Sequence, residues 1–288
     1  VFYLANLGAQ DSPPQFERDR SDCLSCHGTA RTENVPGVLV RSVFPATNGQ
    51  PIQSLGTVTV NQLTPLSQRW GGYYVTGNVS QPHLGNRCYS EDQVPRPQAS
   101  NVPELSGFID VAKYPRATSD VVALLVLEHQ CQAHNLLHSA RIYYQRAAFL
   151  SRVLNPQSDP SSGTAGKLAE RAATSIVEWF LFKDEASLGE TGVEGDPAFQ
   201  QALAAQVPHA RDGSSLADFS LGEHLFKNRC SYMIYSEAFA QLPTVIQQAV
   251  KQQLRHILSA EESPPGYEHL KPSERRRILR ILEETQVL

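Results

Sequence analysis

Residues 21–28 read SDCLSCHG, and within them Cys23, Cys26 and His27 spell C-x-x-C-H. Two thiols three positions apart lie on one helical turn, where each can form a thioether with a porphyrin vinyl group. The histidine that follows then stands beneath the iron as an axial ligand. The motif occurs once, so the expected cofactor is one covalently held haem c. Other chemistries use paired cysteines. A dithiol redox pair sits at a helix N-terminus after a strand in a βαβ unit, and no such unit is legible here. A zinc site needs a second Cys or His pair at ligand spacing, and none lies nearby, so zinc is not expected.

The far side of the iron decides between carrying electrons and doing chemistry at an open position. A methionine is the usual distal ligand of small soluble cytochromes, some tens of residues after the motif. The single methionine, Met233, lies far downstream in NRCSYMIYSEAF. It is either a ligand arriving from a folded-back C-terminal region or a lone filler of a core gap. Histidines are the alternative: His129, His134 and His138 crowd LEHQCQAHNLLH. On a helix His134 and His138 are about 40° apart and share a face, whereas His129 is roughly 140° from His134. The candidate iron ligands are therefore His27 on one side and His129, His134 or Met233 on the other. His83, on a loop, can be a ligand, a propionate partner or exposed. Glu128 beside His129 is a weak candidate for orienting an imidazole, because adjacent helical residues diverge. HNLLH has the spacing of the zinc-protease motif H-E-x-x-H, but Asn135 replaces the glutamate base, so metal-assisted hydrolysis has no proton acceptor.

A haem also carries two propionates, which attract arginine and the N–H or O–H of aromatic residues. QRWGGYYVTGN supplies Arg69, Trp70, Tyr73 and Tyr74 around a Gly71–Gly72 pair. Arg69 and Trp70 are the candidate cofactor-binding residues there, against the reading of an aromatic strand packed on the core. Cys88, Cys131 and Cys230 remain after the two thioether cysteines. They permit one disulfide in any of three pairings, or buried free thiols.

The elements that must position these groups follow from periodicity. Asp11 or Ser12 before Pro13–Pro14 can cap a short helix running into Cys23. PGVLVRSVFP, SLGTVTVN and GGYYVTGN are β-branched and aromatic runs between turn residues, and read as strands. Residues 81–117 are proline-rich and read as an irregular connection. Beyond them, Ser119 or Asp120 caps a long helix ending at Asn155–Pro156, and further helices fit 165–182, 196–206, 243–259 and 272–286. The basic run ERRRILR on the last reads as a solvated face, with a docking patch for an acidic partner as the alternative. The predicted fold is mainly α: a loop-rich, partly β haem-attachment portion over residues 1–117, and a helical portion over 118–288 packing over the haem.

The quoted haem motif in RDRSDCLSCHG, with VPGVLVRSVFP, NGQPI, RWGGYYVTGN, HLGN, LVLEHQ, HNLL and LFKNRCSYMIYSEAF, resembles a family of bacterial proteins. These are exported mono-haem cytochrome c domain-containing proteins of planctomycete-like and related bacteria. The resemblance covers most of the chain. It implies a periplasmic or cell-surface c-type haem protein without naming a reaction. It carries over Cys23, Cys26 and His27, and points also to His83, His129 and His134.

Composition bounds the function. With 288 residues, 41% hydrophobic, 19% charged and a formal net charge of −4, the chain can bury a sizeable core and lacks the clustered positive charge of nucleic-acid or anionic-membrane binders. The longest apolar run, VVALLVL, is far short of the about 20 residues that span a bilayer. Membrane association is then expected only through a partner or anchor. The first residue is valine, which suggests a mature or trimmed chain. Haem attachment to this motif takes place outside the bacterial plasma membrane, so an exported location is expected. The expected function is electron transfer with a redox partner protein, more an electron carrier than an enzyme. The alternatives are a haem enzyme or sensor with an open sixth iron site, and a haem subunit of a larger respiratory or surface complex.

Overall fold

The computed structural model describes residues 2–6, 13–20, 22–157, 159 and 163–288. Strands β1 (Phe2–Asn6) and β2 (Gln15–Asp19) pair antiparallel, Phe2 opposite Asp19 and Asn6 opposite Gln15. This strand stands where a helix running into Cys23 was expected. The β-prone FYLAN segment gives residues 15–19 a partner for their backbone groups, which local capping signals do not reveal. Asp11 and Ser12, the expected caps, lie outside the described residues. Among the described residues before Gly28, only the turn α1 (Leu24–His27) is helical. Asp19 holds its start: Oδ2 accepts from Cys23 N–H at 2.9 Å and Oδ1 from Asp22 N–H at 3.3 Å.

β3 (Val40–Val43) and β4 (Thr57–Val60) form a second antiparallel pair, as their β-branched runs predict. GGYYVTGN is mostly a turn instead of a strand. Gly71 passes so close to β3 that a Cβ there would lie 2.4 Å from the Val43 carbonyl oxygen, and Val43 N–H donates to Gly71 O at 2.9 Å. The strand begins only at Gly77: β5 (Gly77–His83) is the middle of a three-stranded antiparallel sheet. β6 (Gln98–Val102), inside the stretch expected to be irregular, flanks it on one side. β7 (Val193–Glu194) flanks it on the other.

The long helix forms where its periodicity places it, as α2 (Val121–Leu154), with the Asp120 carboxylate accepting from Ala123 N–H at 2.9 Å. α3 (Gly163–Phe180), α4 (Pro197–Ala204), α5 (Glu237–Ala240), α6 (Thr244–Ser259) and α7 (Pro272–Glu284) follow. α2 packs on α3, α3 on α6 and α6 on α7. The principal core draws on both sides of residue 118: Leu66, Trp70, Val75 and Val79 pack with Val121, Leu125, Leu137, Ile176 and Phe180. Each such buried side chain contributes about 1.5–3 kcal/mol, so α2 is held by tertiary packing along much of its length. A smaller cluster of Phe44, Ile52, Leu84 and Tyr89 lies beneath the β3–β4 region. Among the described residues there are seven α-helices; with 41% helix and 14% strand the fold is mixed, helices predominating. No helix among the described residues is long and apolar enough to cross a membrane.

Candidate functional site

The C-x-x-C-H turn is tied to one short loop. His27 Nδ1–H donates to the Gly37 carbonyl at 2.9 Å, and Gly37 N–H donates back to the His27 carbonyl at 2.9 Å. A carbonyl accepts only, so Nδ1 carries the proton and Nε2 keeps its lone pair. Among the described residues Nε2 has no hydrogen-bond partner. Cys23 and Cys26 are free, partly buried thiols on the same turn. Desolvation, with Asp19 and Asp22 nearby, raises Cys23 above the usual thiol range. That is the reverse of the activated thiolate a dithiol redox centre uses. The β1–β2 hairpin covers the turn, with the Phe2 ring 5.2 Å from the His27 ring. It leaves Tyr3, Leu4 and Phe16 more than half exposed, and Leu24 and Val38 are exposed as well. A cavity of about 380 Å³ opens here between Phe2, Arg18, Asp19, Arg20, Leu24 and Pro36.

The same loop is clamped to the middle of α2. Asn135 Nδ2 donates to the Val38 carbonyl at 2.6 Å, and Val38 N–H donates to Asn135 Oδ1 at 3.1 Å. Gly37 has to be glycine for this fit, because a Cβ would lie 2.2 Å from Asn135 Oδ1. Gln132 Nε2 donates to Glu33 Oε1 at 2.7 Å, and the Tyr143 hydroxyl reaches the Glu33 and Asn34 carbonyls at 3.4 Å. Flanking Asn135, the His134 and His138 rings lie side by side, centroids 6.1 Å apart and 9° from parallel. They line one cavity of about 420 Å³ with Met233, Leu137, Arg141, Glu237 and Gln241. Arg141 Nη1 donates to Gln241 Oε1 at 2.7 Å, and Gln241 Nε2 donates to Glu237 Oε1 at 2.7 Å. Met233, distant in sequence, thus shares one space with His134 and His138 of α2.

Other candidates lie elsewhere. His129 is completely buried: Nδ1–H donates to Gln62 Oε1 at 2.5 Å, and the Ser231 hydroxyl donates to Nε2 at 2.6 Å. Its ring is stacked on Phe182 and Trp179. With both nitrogens used and burial lowering its pKa to about 3, it is a core histidine; the candidate ligand role does not fit this placement. Arg69 and Trp70, the candidate propionate partners, are also in the core. Arg69 Nη1 and Trp70 Nε1 both donate to the Glu128 carboxylate, at 2.6 and 2.8 Å, and Arg69 also donates to the Thr64 and Gln62 carbonyls. Glu128 therefore serves this pair and not His129, because adjacent helical residues point apart; burial pushes its carboxyl up to about 7 against the pull of Arg69 and Trp70. His83 is fully buried at the end of β5. Its Nδ1 accepts from Gly85 N–H at 3.0 Å and Nε2 donates to Ser100 Oγ at 2.7 Å.

Cys88, Cys131 and Cys230 form no disulfide, and burial pushes Cys230 up to about 12. The basic run at 274–280 is only partly solvated. Arg275 is buried and donates to the Leu270 and Ala260 carbonyls, while Glu274 pairs with Arg229 at 2.8 Å. Asn135, Gly37 and Gln62 are the positioning residues that sequence reasoning passed over. For Asn135 the signal was present as the misfit within HNLLH; for Gln62 there was none. Comparison with models of known protein families, with curated proteins and with solved structures finds no match to this chain.

Proposed function

We propose that this chain is an exported mono-haem c-type cytochrome that transfers electrons to or from a redox partner protein. The observation that carries the reading is His27: its Nδ1 is spent on Gly37 while Nε2 is left as a lone-pair donor beside two free thiols on one turn. That hydrogen bond fixes tautomer and ring orientation, as the outer partner of a metal-binding histidine does. Haem bound here would supply one-electron iron chemistry. Cys23 and Cys26 would hold it, and the exposed apolar side chains of the hairpin and of Leu24 and Val38 are the kind of surface a porphyrin covers. Among the described residues no three His, Cys, Asp or Glu side chains gather as a metal-binding group. A haem iron, already held by four porphyrin nitrogens, asks the protein for only one or two donors. Because Arg69 is committed to Glu128, the guanidiniums placed to meet a propionate are Arg18 and Arg20, which line the cavity at the motif turn, and Arg141 on α2. The resemblance noted above, the C-x-x-C-H motif included, points to the same reading and to a periplasmic or cell-surface location.

The test is expression in a bacterial host with the cytochrome c maturation system. The intact mass should rise by one haem, the haemochrome spectrum should be of thioether type, and the protein should cycle reversibly between reduced and oxidised forms. C23A/C26A should lose the covalent haem. A native chain that emerges from that host without haem sinks the proposal.

A further inference from the structure

Which side chain faces His27 across the iron is open among His134, His138 and Met233, and the clamp between α2 and the motif loop discriminates between them. His27 bonds to Gly37 in both directions, and the next residue, Val38, is held by both ends of the Asn135 amide. The position of α2 relative to His27 is therefore set at Asn135. Around the helix axis His138 lies about 60° from Asn135 and His134 about 100°. Burial agrees with the angles. His134 is exposed, as a residue turned away from the clamped face would be, whereas His138 is part-buried against the cavity. Met233 lines the same space, but its thioether is packed against the principal core, and its backbone N–H is tied to Ser231 Oγ at 3.1 Å. His83 and His129 have both ring nitrogens occupied. Among the described residues neither nitrogen of His138 is hydrogen-bonded, so its neutral imidazole keeps a donor lone pair.

We propose that His138 is the second axial ligand, giving a bis-histidine haem whose two imidazoles come from the motif turn and from α2. The proposal rests on the haem reading above. It excludes Met233 as the ligand and makes His134 a neighbour in the same cavity. It also sets a two-bond link, the Asn135 clamp, between the two ligand-bearing elements.

The experiment uses the full chain matured with haem. The native protein should be low-spin, with the near-infrared magnetic circular dichroism band of bis-histidine and not of His/Met ligation. H138A should lose the low-spin spectrum, bind carbon monoxide when reduced, and regain the low-spin form with added imidazole. H134A and M233L should keep the native spectrum. If H138A does not fold, the native spectroscopic band and the M233L and H134A variants still decide. A His/Met band, a high-spin native protein, a low-spin H138A, or loss of low spin in H134A or M233L overturns the assignment while leaving the haem in place. A chain without covalent haem overturns the underlying reading instead, and the two failures are told apart by the mass.

Discussion

Replacing His129 by glutamine tests whether that residue is a neutral core histidine. The unperturbed imidazole titrates near 6.5, and burial in the folded protein lowers His129 to about 3. The folded state therefore stays unprotonated over a range where the unfolded chain takes up a proton. A depressed histidine pKa contributes stability that is complete above the unfolded value and is lost as pH falls from 6.5 toward the folded value. One proton is worth about 1.4 kcal/mol per pH unit. Glutamine keeps a donor and an acceptor for Gln62 and Ser231 but does not titrate. At pH 7 the variant should be less stable, since at least one buried partner is left imperfectly bonded at a cost of about 1–3 kcal/mol. Between pH 6.5, where the unfolded imidazole is half protonated, and pH 4.5 the stability gap between native and H129Q should narrow by about 2.3 kcal/mol. Carboxylate titrations are common to both proteins and cancel in the difference. Urea unfolding followed by far-ultraviolet circular dichroism, with m-values compared, measures the gap directly. A gap that does not change with pH refutes the reasoning. So does loss of the low-spin haem spectrum in H129Q, which would return His129 to the iron.

Three further outcomes follow from the same geometry. N135A removes both bonds to Val38 and should cost about 2 kcal/mol by urea denaturation, while G37A should cost less in the N135A background than alone, because the atom its Cβ would strike is gone. R69L should cost about 3–5 kcal/mol by stranding the buried Glu128 carboxylate, and the R69L/E128L pair should lose less than R69L alone, read from thermal or urea midpoints. Iodoacetamide at neutral pH should label Cys88 rapidly in the folded protein and Cys230 only after denaturation, since Cys230 is buried with its pKa raised to about 12, as peptide mass mapping would show.

The motif residues and the helices were legible because their determinants are local. Three-position spacing places Cys23 and Cys26 on one turn, and the Asp120 cap and Asn155–Pro156 stop delimit α2 almost to the residue. The pairing of His134 and His138 on one face was also legible, since it follows from 3.6-residue periodicity alone. The hairpin β1–β2 was not, because residues 15–19 become a strand only by pairing with residues 2–6 in a separate segment of the chain. The role of RWGGYYVTGN failed for a related reason. Arg69 and Trp70 suit a propionate as well as they suit a carboxylate, and nothing local says that Glu128 of α2 would meet them.

Sequence alone determined which chemistry is available: two thiols, one following histidine, a helix carrying three more histidines, and a single methionine. These depend on residue type and short spacing, which the chain carries wherever it folds. Tertiary structure alone decided which of those groups remain free. Burial and two hydrogen bonds commit His129 to the core, Glu128 takes up Arg69 and Trp70, and the Asn135–Val38 clamp brings the motif loop against the part of α2 that bears His138. Availability of a lone pair is a property of surroundings, and those surroundings come from residues as far apart as 62, 129 and 231.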